Sequence, residues 1–553
     1  MRAILFLAVL PTLVFAGDAD PAAALLAKGQ HTEAAEAARE LLKKNAKNVD
    51  AWIVLADALI AAGTPEHAWT ELELGIEANP GAQALSLRLG DVFIRLAEKA
   101  QAAGGDGMTI TNYYLDAERM YDDVLAKNPT SADALYGKAV ANWWIGRDET
   151  KAQAKKLLAD CLAADKNHGK AHALQADILY YDSSAMKNEA DRKAGFSQAQ
   201  SKYEIADKFV ADAEQTWYVR WGHSCYGQGK FEEAKAAYLE GLKRHPDQDA
   251  AIRSGLYTLA NIGEKETVMD RRIAYLEAAA QAAPTSPLVH YHLGYSYAQK
   301  ERFEDALKAY RKAAEVAPGV AEYQFRVGYV NERMGNAREA LELYRKTLQL
   351  QPDHQDATSQ FFRLVAMRQP NLAEAEPLLD ELLKLSPNTG WVHNDYALLL
   401  RNWAEATGTH KQKDPPEVVR RRLKRSAEIY EIAARLEPNE PQYQSDTGLL
   451  FEFYPCIEDA EKAKNYFSRS LELSEFTYRD AFDGLDRICR RTKDWETLRF
   501  YAESVVGALE DQGRQAVAPV GASPPRELPN ETPGMLARAK AAMAAADKGM
   551  KGS

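Results

Sequence analysis

The apolar residues of this chain recur at helical spacing over most of its length. From Pro287 onward, His290, Leu293 and Tyr297 fall on one side of a helix, with the small Gly294 inside the same stripe. Ala306 and Tyr310 continue the pattern in a second helix, and Pro318 ends it, because proline lacks the amide donor and clashes with the preceding turn. The same figure returns along the chain. Pro80, Pro129, Pro246, Pro318, Pro352, Pro387 and Pro438 each lie twelve residues after a small side chain, in turn Ala68, Ala117, Ala234, Ala306, Ala340, Ala375 and Ser426. Four residues beyond many of these stands an aromatic: Tyr121, Tyr238, Tyr310, Tyr344 and Tyr430. The spacing predicts helix-turn-helix units whose apolar stripe sits at unit positions 4, 7 and 11. Small residues at positions 8 and 20 would let the two helices approach closely. One pair cannot bury its stripe alone, whereas stacked pairs share a continuous core.

A second clear unit reads Tyr218-x2-Trp221-Gly222, then Ala234, Tyr238 and Pro246. The figure resembles the tetratricopeptide repeat, a 34-residue helix-turn-helix with the pattern W-x2-L-G-x2-Y, A-x3-F and P. The resemblance implies an all-α fold, a right-handed superhelical solenoid of about 13 units. Carried along the chain, the register sets units near 22–48, 49–82, 83–131, 132–168, 169–214, 215–248, 249–286, 287–320, 321–354, 355–389, 390–440, 441–477 and 478–511. Three of these are long, with extra residues expected between their helices at Gly104 to Gly107, around Tyr180 to Ser184, and from Gly408 to Pro416. Such insertions either decorate a binding rim or merely lengthen a loop. Beyond 511 the composition turns to Pro, Gly, Ala and Val, which reads as a flexible tail over 512–553. An alanine-rich stretch over 535–550 forms either a short helix capping the last unit or part of that unstructured tail.

The start of the chain departs from the repeat. Met1 and Arg2 precede an apolar run from Ala3 to Phe15, followed by Ala16, Gly17 and Asp18, the pattern of a signal peptide over 1–16 cleaved after Ala16. The run is shorter than the roughly 20 apolar residues a bilayer crossing needs, and no later stretch reaches that length. An exported protein, periplasmic or secreted, without membrane insertion is the expectation. Among 553 residues, 80 acidic against 69 basic side chains give a net charge of -11, which argues against a nucleic-acid partner. Four cysteines are too few for a disulfide framework. Only Cys456 and Cys489 fall in neighbouring units, where a bridge would still need close Cα atoms.

The chain carries no H-E-x-x-H, no P-loop, no dinucleotide fingerprint and no nucleophile elbow. His168 and His172 have the i, i+4 spacing of two metal ligands, but a turn is expected between them, so they read as a solvated pair. The run Arg420, Arg421, Arg422, Lys424, Arg425 reads mainly as a solvated helix surface, and otherwise as an anion-binding or partner-docking patch. No enzyme activity, cofactor or metal is expected.

Function is then expected on the helix face left free by packing. With positions 4, 7, 8 and 11 buried, positions 2, 5, 9 and 12 form another face. Tetratricopeptide arrays, which the chain resembles, line their concave groove with it. Positions 5 and 9 are Tyr136 and Val140, Ala173 and Asp177, Val219 and His223, Arg253 and Tyr257, Tyr291 and Tyr295, Phe325 and Tyr329, Ser359 and Arg363. Aromatic and arginine side chains dominate binding hot spots, so Arg253, Tyr257, Tyr291, Tyr295, Phe325, Tyr329 and Arg363 are the candidate partner-binding residues. The same rings could instead pack between neighbouring first helices. The family's clamp for C-terminal carboxylates uses Lys at position 5 with Asn at position 9, and no unit here has both; Asn394 is followed by Leu398. Two functions fit: a non-catalytic scaffold or adaptor of the bacterial cell envelope holding a peptide or protein, or a saccharide-handling component of a polysaccharide synthesis or export machine.

Overall fold

The computed structural model describes residues 20–211, 213–246, 250–262, 267–368, 372–405, 414–515 and 532–552. The expected leader over 1–16 and residues 516–531 of the expected tail lie outside them. Among the described residues every regular element is a helix. The chain divides into two compact units, Met1–Arg302 and Phe303–Ser553. In the first, the helices are α1 (Asp20–Ala27), α2 (His31–Lys44), α3 (Val49–Ala61), α4 (Pro65–Ala78), α5 (Gln83–Ala102), α6 (Gly107–Lys127), α7 (Ala132–Ile145) and α8 (Asp148–Ala164). It continues with α9 (Gly169–Ala185), α10 (Glu189–Phe209), α11 (Gln215–Gly227), α12 (Phe231–Arg244), α13 (Ala250–Ala260), α14 (Val268–Ala282) and α15 (Pro287–Gln299). The second holds α16 (Phe303–Val316), α17 (Ala321–Arg333), α18 (Ala337–Leu350), α19 (Gln355–Arg368), α20 (Leu372–Leu385) and α21 (Gly390–Ala404). It ends with α22 (Pro416–Leu436), α23 (Pro441–Phe453), α24 (Ala460–Leu473), α25 (Arg479–Thr492), α26 (Trp495–Gln515) and α27 (Thr532–Gly552). The all-α class and the stacked helix-turn-helix fold expected from the pattern are what the protein has.

Small residues do more than let helices approach. The ring of Tyr121 on α6 lies where a Cβ on Gly90 of α5 would come within 2.7 Å of it, and Gly137 of α7 presses on its other side. Tyr238 sits likewise between Gly222 and Gly255, and Phe467 between Gly448 and Gly484. One aromatic of each of these second helices thus fills the space vacated by two glycines, one on its own first helix and one on the next. That wedge, repeated, is what transmits packing from hairpin to hairpin.

In five repeats position 4 departs from the expected apolar stripe. Its side chain is a hydrogen-bond donor to the carbonyl six residues earlier: Trp52 Nε1 to Ala46 and His290 Nε2 to Pro284, both at 2.9 Å, and Gln324 Nε2 to Pro318 at 3.3 Å. His172 and Gln444 repeat the contact with Lys166 and Pro438. Each thereby satisfies a carbonyl beyond the end of the preceding helix, where no intrahelical partner exists.

Much of the surplus of the long repeats lengthens helices, while Gly104 to Asp106 lies between α5 and α6 as expected. Tyr180 to Ser184, expected between helices, continues α9, and α5, α6, α10 and α22 are all extended. Of the stretch expected from Gly408 to Pro416, residues 408–413 lie outside the described residues. At the end of the chain, α27 packs Met535, Ala539, Ala542 and Ala546 into the core of its unit.

Candidate functional site

The seven candidate residues divide between the two units. In the first, Arg253 and Tyr257 stand on α13, and Tyr291 and Tyr295 on α15. The Tyr257 ring lies 6.1 Å from His292, which in turn lies 5.1 Å from Tyr291, both pairs edge to face. Tyr295 is 40% exposed and, among the described residues, has neither a hydrogen bond nor a ring contact. Burial, helped by the Arg253 charge, pushes His292 down to about 4, so its ring is neutral at ordinary pH.

The second unit treats the same positions differently. Phe325 is only 2% exposed, with ring centroids of His354 and Tyr344 at 4.9 and 5.7 Å, so it belongs to the core. Tyr329 is half-buried and accepts from Arg333 Nη1 at 3.3 Å. Arg363 pairs with the buried Glu332, whose other oxygen accepts from Tyr344 at 2.7 Å. Its charge is therefore balanced within the fold. An earlier repeat fills the corresponding position 9 outright: Asp177 is 2% exposed, with Arg220 at 2.5 Å and the Tyr203 hydroxyl bound to it. Of the seven, Tyr295 is the most exposed, while Tyr291 one turn before it on α15 and Arg253 and Tyr257 on α13 are half-buried.

Two side chains beside this cluster escaped the reading of positions 5 and 9. His292 occupies position 6 of its repeat. Arg272 on α14 places its guanidinium 4.6 Å from the centre of the Tyr257 ring. The signal was in the sequence: counting twelve back from Pro284, as for the other prolines, gives Arg272 where the rest have Ala or Ser.

Other candidates resolve into structure. His168 caps α9 by accepting the Ala171 amide, with Asp133 3.2 Å from its other nitrogen, while His172 turns to Lys166. Each imidazole has its own partner, and the two do not converge on a metal. Of the basic run, Arg422 departs from the solvated surface expected. It is 5% exposed, with Glu376 at 2.6 Å, Asp414 bound to it, and the Trp403 ring 5.9 Å away. An arginine can be buried in this way because two carboxylates and an aromatic face replace its water. Arg420, Arg421 and Lys424 stay on the helix surface, and Arg425 reaches Asp380. All four cysteines are free, and burial pushes the thiols of Cys161, Cys225 and Cys489 up to about 12. No helix among the described residues is long and apolar enough to cross a membrane.

Comparison with known proteins places the repeats. Residues 25–89, 271–321 and 291–355 match family descriptions of the tetratricopeptide repeat. No curated protein matches the chain. Among solved structures, yeast Tom70 is 13% identical, covering 95% of each chain, with a TM-score of 0.25. Human IFIT1, solved as a dimer with PPP-AAAA, is 14% identical over 84% of this chain and 92% of its own, at a TM-score of 0.26. A tetratricopeptide-repeat protein of Thermus thermophilus is 15% identical over 47% of this chain and 95% of its own, at a TM-score of 0.25. Tetratricopeptide repeats are thus matched near the start of the chain and in its middle, on helices of the all-α fold described above.

Proposed function

We propose that this protein is a non-catalytic adaptor of the bacterial cell envelope, exported through its apolar leader, which holds a peptide or protein partner on the first-helix face around Tyr295. The coarser role, a scaffold for protein–protein interaction, follows from the tetratricopeptide repeats themselves.

The observation that carries the reading is a contrast among tyrosines. Tyr121, Tyr203, Tyr238, Tyr310, Tyr344 and Tyr430 are all buried to within 2% of completely. Tyr295 is 40% exposed and holds nothing together. A rigid ring with a polar tip, left uncommitted one helical turn from the half-buried Tyr291, is the kind of anchor that interfaces use.

The test is capture from an envelope extract with the purified mature chain, followed by mass spectrometry. Tyr295→Ala should lose the partner found with the wild type while keeping its helical circular dichroism. Equal capture by both would remove Tyr295 from the interface, and a partner that proves to be an oligosaccharide would favour the saccharide-handling reading. Sequencing the exported protein's N-terminus should find Gly17, and an intact Met1 would sink the export reading.

A further inference from the structure

The repeat containing α13 and α14 breaks a rule that the others keep. At the place twelve residues before the closing proline, Ala68, Ala117, Ala234, Ala306, Ala340, Ala375 and Ser426 are essentially inaccessible. Here the residue is Arg272, before Pro284. A guanidinium has been put where the fold elsewhere takes a methyl or hydroxymethyl group.

Its surroundings do not explain it as a structural ion pair. Among the described residues Arg272 has no carboxylate within ion-pairing distance, and its buried Nε lacks a hydrogen-bond partner. Such an orphaned donor costs free energy that a small side chain would not. What holds the group is the face of Tyr257, 4.6 Å from the guanidinium carbon. Against the same ring, edge to face with centroids 6.1 Å apart, stands His292 of the next first helix. Held neutral by burial and by Arg253, it still carries one N–H to donate. Tyr295 follows His292 by three residues, on the same side of α15.

We propose that Arg272, steadied by Tyr257 and assisted by His292, binds an oxyanion of the peptide partner, the carboxylate of an acidic residue or a phosphoryl group. A guanidinium carries only donors, in a planar fork that matches both anions, so its unmet hydrogen bonds define the missing group chemically. The partner then lays an apolar side chain on Tyr295 and anchors an anionic one at Arg272. This inference rests on the peptide-scaffold reading and names the chemistry of its ligand.

The test selects from a library of random twelve-residue peptides, with phosphoserine among the building blocks, on the full mature chain. Selected peptides should be enriched in Asp and Glu or in phosphoserine, and which of these dominates identifies the source of the oxyanion. Against the strongest selected peptide, Arg272→Ala and Arg272→Lys should each weaken binding at least tenfold, because an ammonium cannot supply the fork. Arg272→Ala should melt no lower than the wild type, since it restores the small residue of the other repeats; a residue held only for structure would melt lower. Peptides selected without anionic enrichment, or bound equally by Arg272→Ala, overturn the inference and leave the scaffold reading standing. Selection of no peptide at all overturns both.

Discussion

Replacing Gly90 by alanine inside α5 should destabilise the first unit, although in an exposed helix interior the same change stabilises by about 1 kcal/mol. The new Cβ would stand 2.7 and 2.8 Å from Cε1 and Cζ of Tyr121. The ring has no room to yield, because Gly137 bounds its far side and its side chain is 1% exposed. Its hydroxyl also donates to Asp91 at 2.8 Å, a bond that any tilt would break. Overpacking costs about 1–3 kcal/mol. A hydrogen bond to a charged acceptor contributes about 1.5–3 kcal/mol, and only part of it is lost because Asp91 is partly solvated. Less the propensity gain, a net loss of about 2 kcal/mol is expected. The control is Gly507 in α26, where a Cβ meets nothing within 4 Å. Gly507→Ala should therefore be neutral or stabilise by up to about 1 kcal/mol. Denaturant titration followed by circular dichroism, with hydrogen exchange read on peptides covering α5 to α7, measures both. If Gly90→Ala is as stable as the wild type, or if the two variants shift together, the wedge does not determine the packing.

A pH dependence should follow from Glu98 and Glu214. Burial first, and then the Glu214 charge for Glu98 and the Asp177 charge for Glu214, raise these carboxyls to about 8 and about 7 despite Arg95, which lies 2.9 Å from Glu98. The folded chain therefore keeps protons that the unfolded chain, titrating near roughly 4.3, has lost, so stability falls as pH rises from about 4.5 to 8. Thermal melts at pH 5.5 and 8.5 should show the lower transition at the higher pH, and Glu98→Gln should shrink that difference; an undiminished difference would exonerate the pair. Arg422→Ala should cost about 3 kcal/mol, the size expected when one partner of a buried ion pair is removed. Arg422→Lys should recover only part of this in denaturant titrations, since an ammonium cannot face Glu376 and Asp414 as a guanidinium does.

The helices were legible because their signals are local. A proline two residues past a helix end, a small residue twelve before it and an aromatic four after that small residue all lie within one repeat, and they locate the second helix. What the aromatic touches is not local. Tyr121 meets Gly90 and Gly137, residues on two other helices, and no spacing rule announces that pairing. The candidate face shows the same limit. Positions 5 and 9 are equivalent by helical geometry, yet Tyr295 is exposed while Phe325 is 2% exposed, because burial there depends on the neighbouring helices. The charge run around Arg422 misled for a related reason. Helical periodicity distributes charges around a surface, but the acidic residue that draws one of them inward, Glu376, lies on α20, two helices back along the chain.

Departures from a repeat carry information that its consensus cannot. The consensus positions are set by a requirement every hairpin shares, so they report how the array stands and not what it binds. Arg272 is a departure that the fold resists: it is large where the contact wants a small residue, charged without a carboxylate among the described residues, and it leaves a buried donor unpaired. The same cannot be said of Arg220 or Arg422, whose guanidinium groups are engaged by Asp177 and by Glu376 with Asp414. Nor does it hold for Arg363, committed to Glu332. Sorting the arginines by whether the fold already satisfies them separates those that build the scaffold from one that weakens it. Since breaches of a fold's local rules are expected at functional or strained sites, the repeat of α13 and α14, rather than the most regular part of the pattern, is where recognition by this protein should be sought.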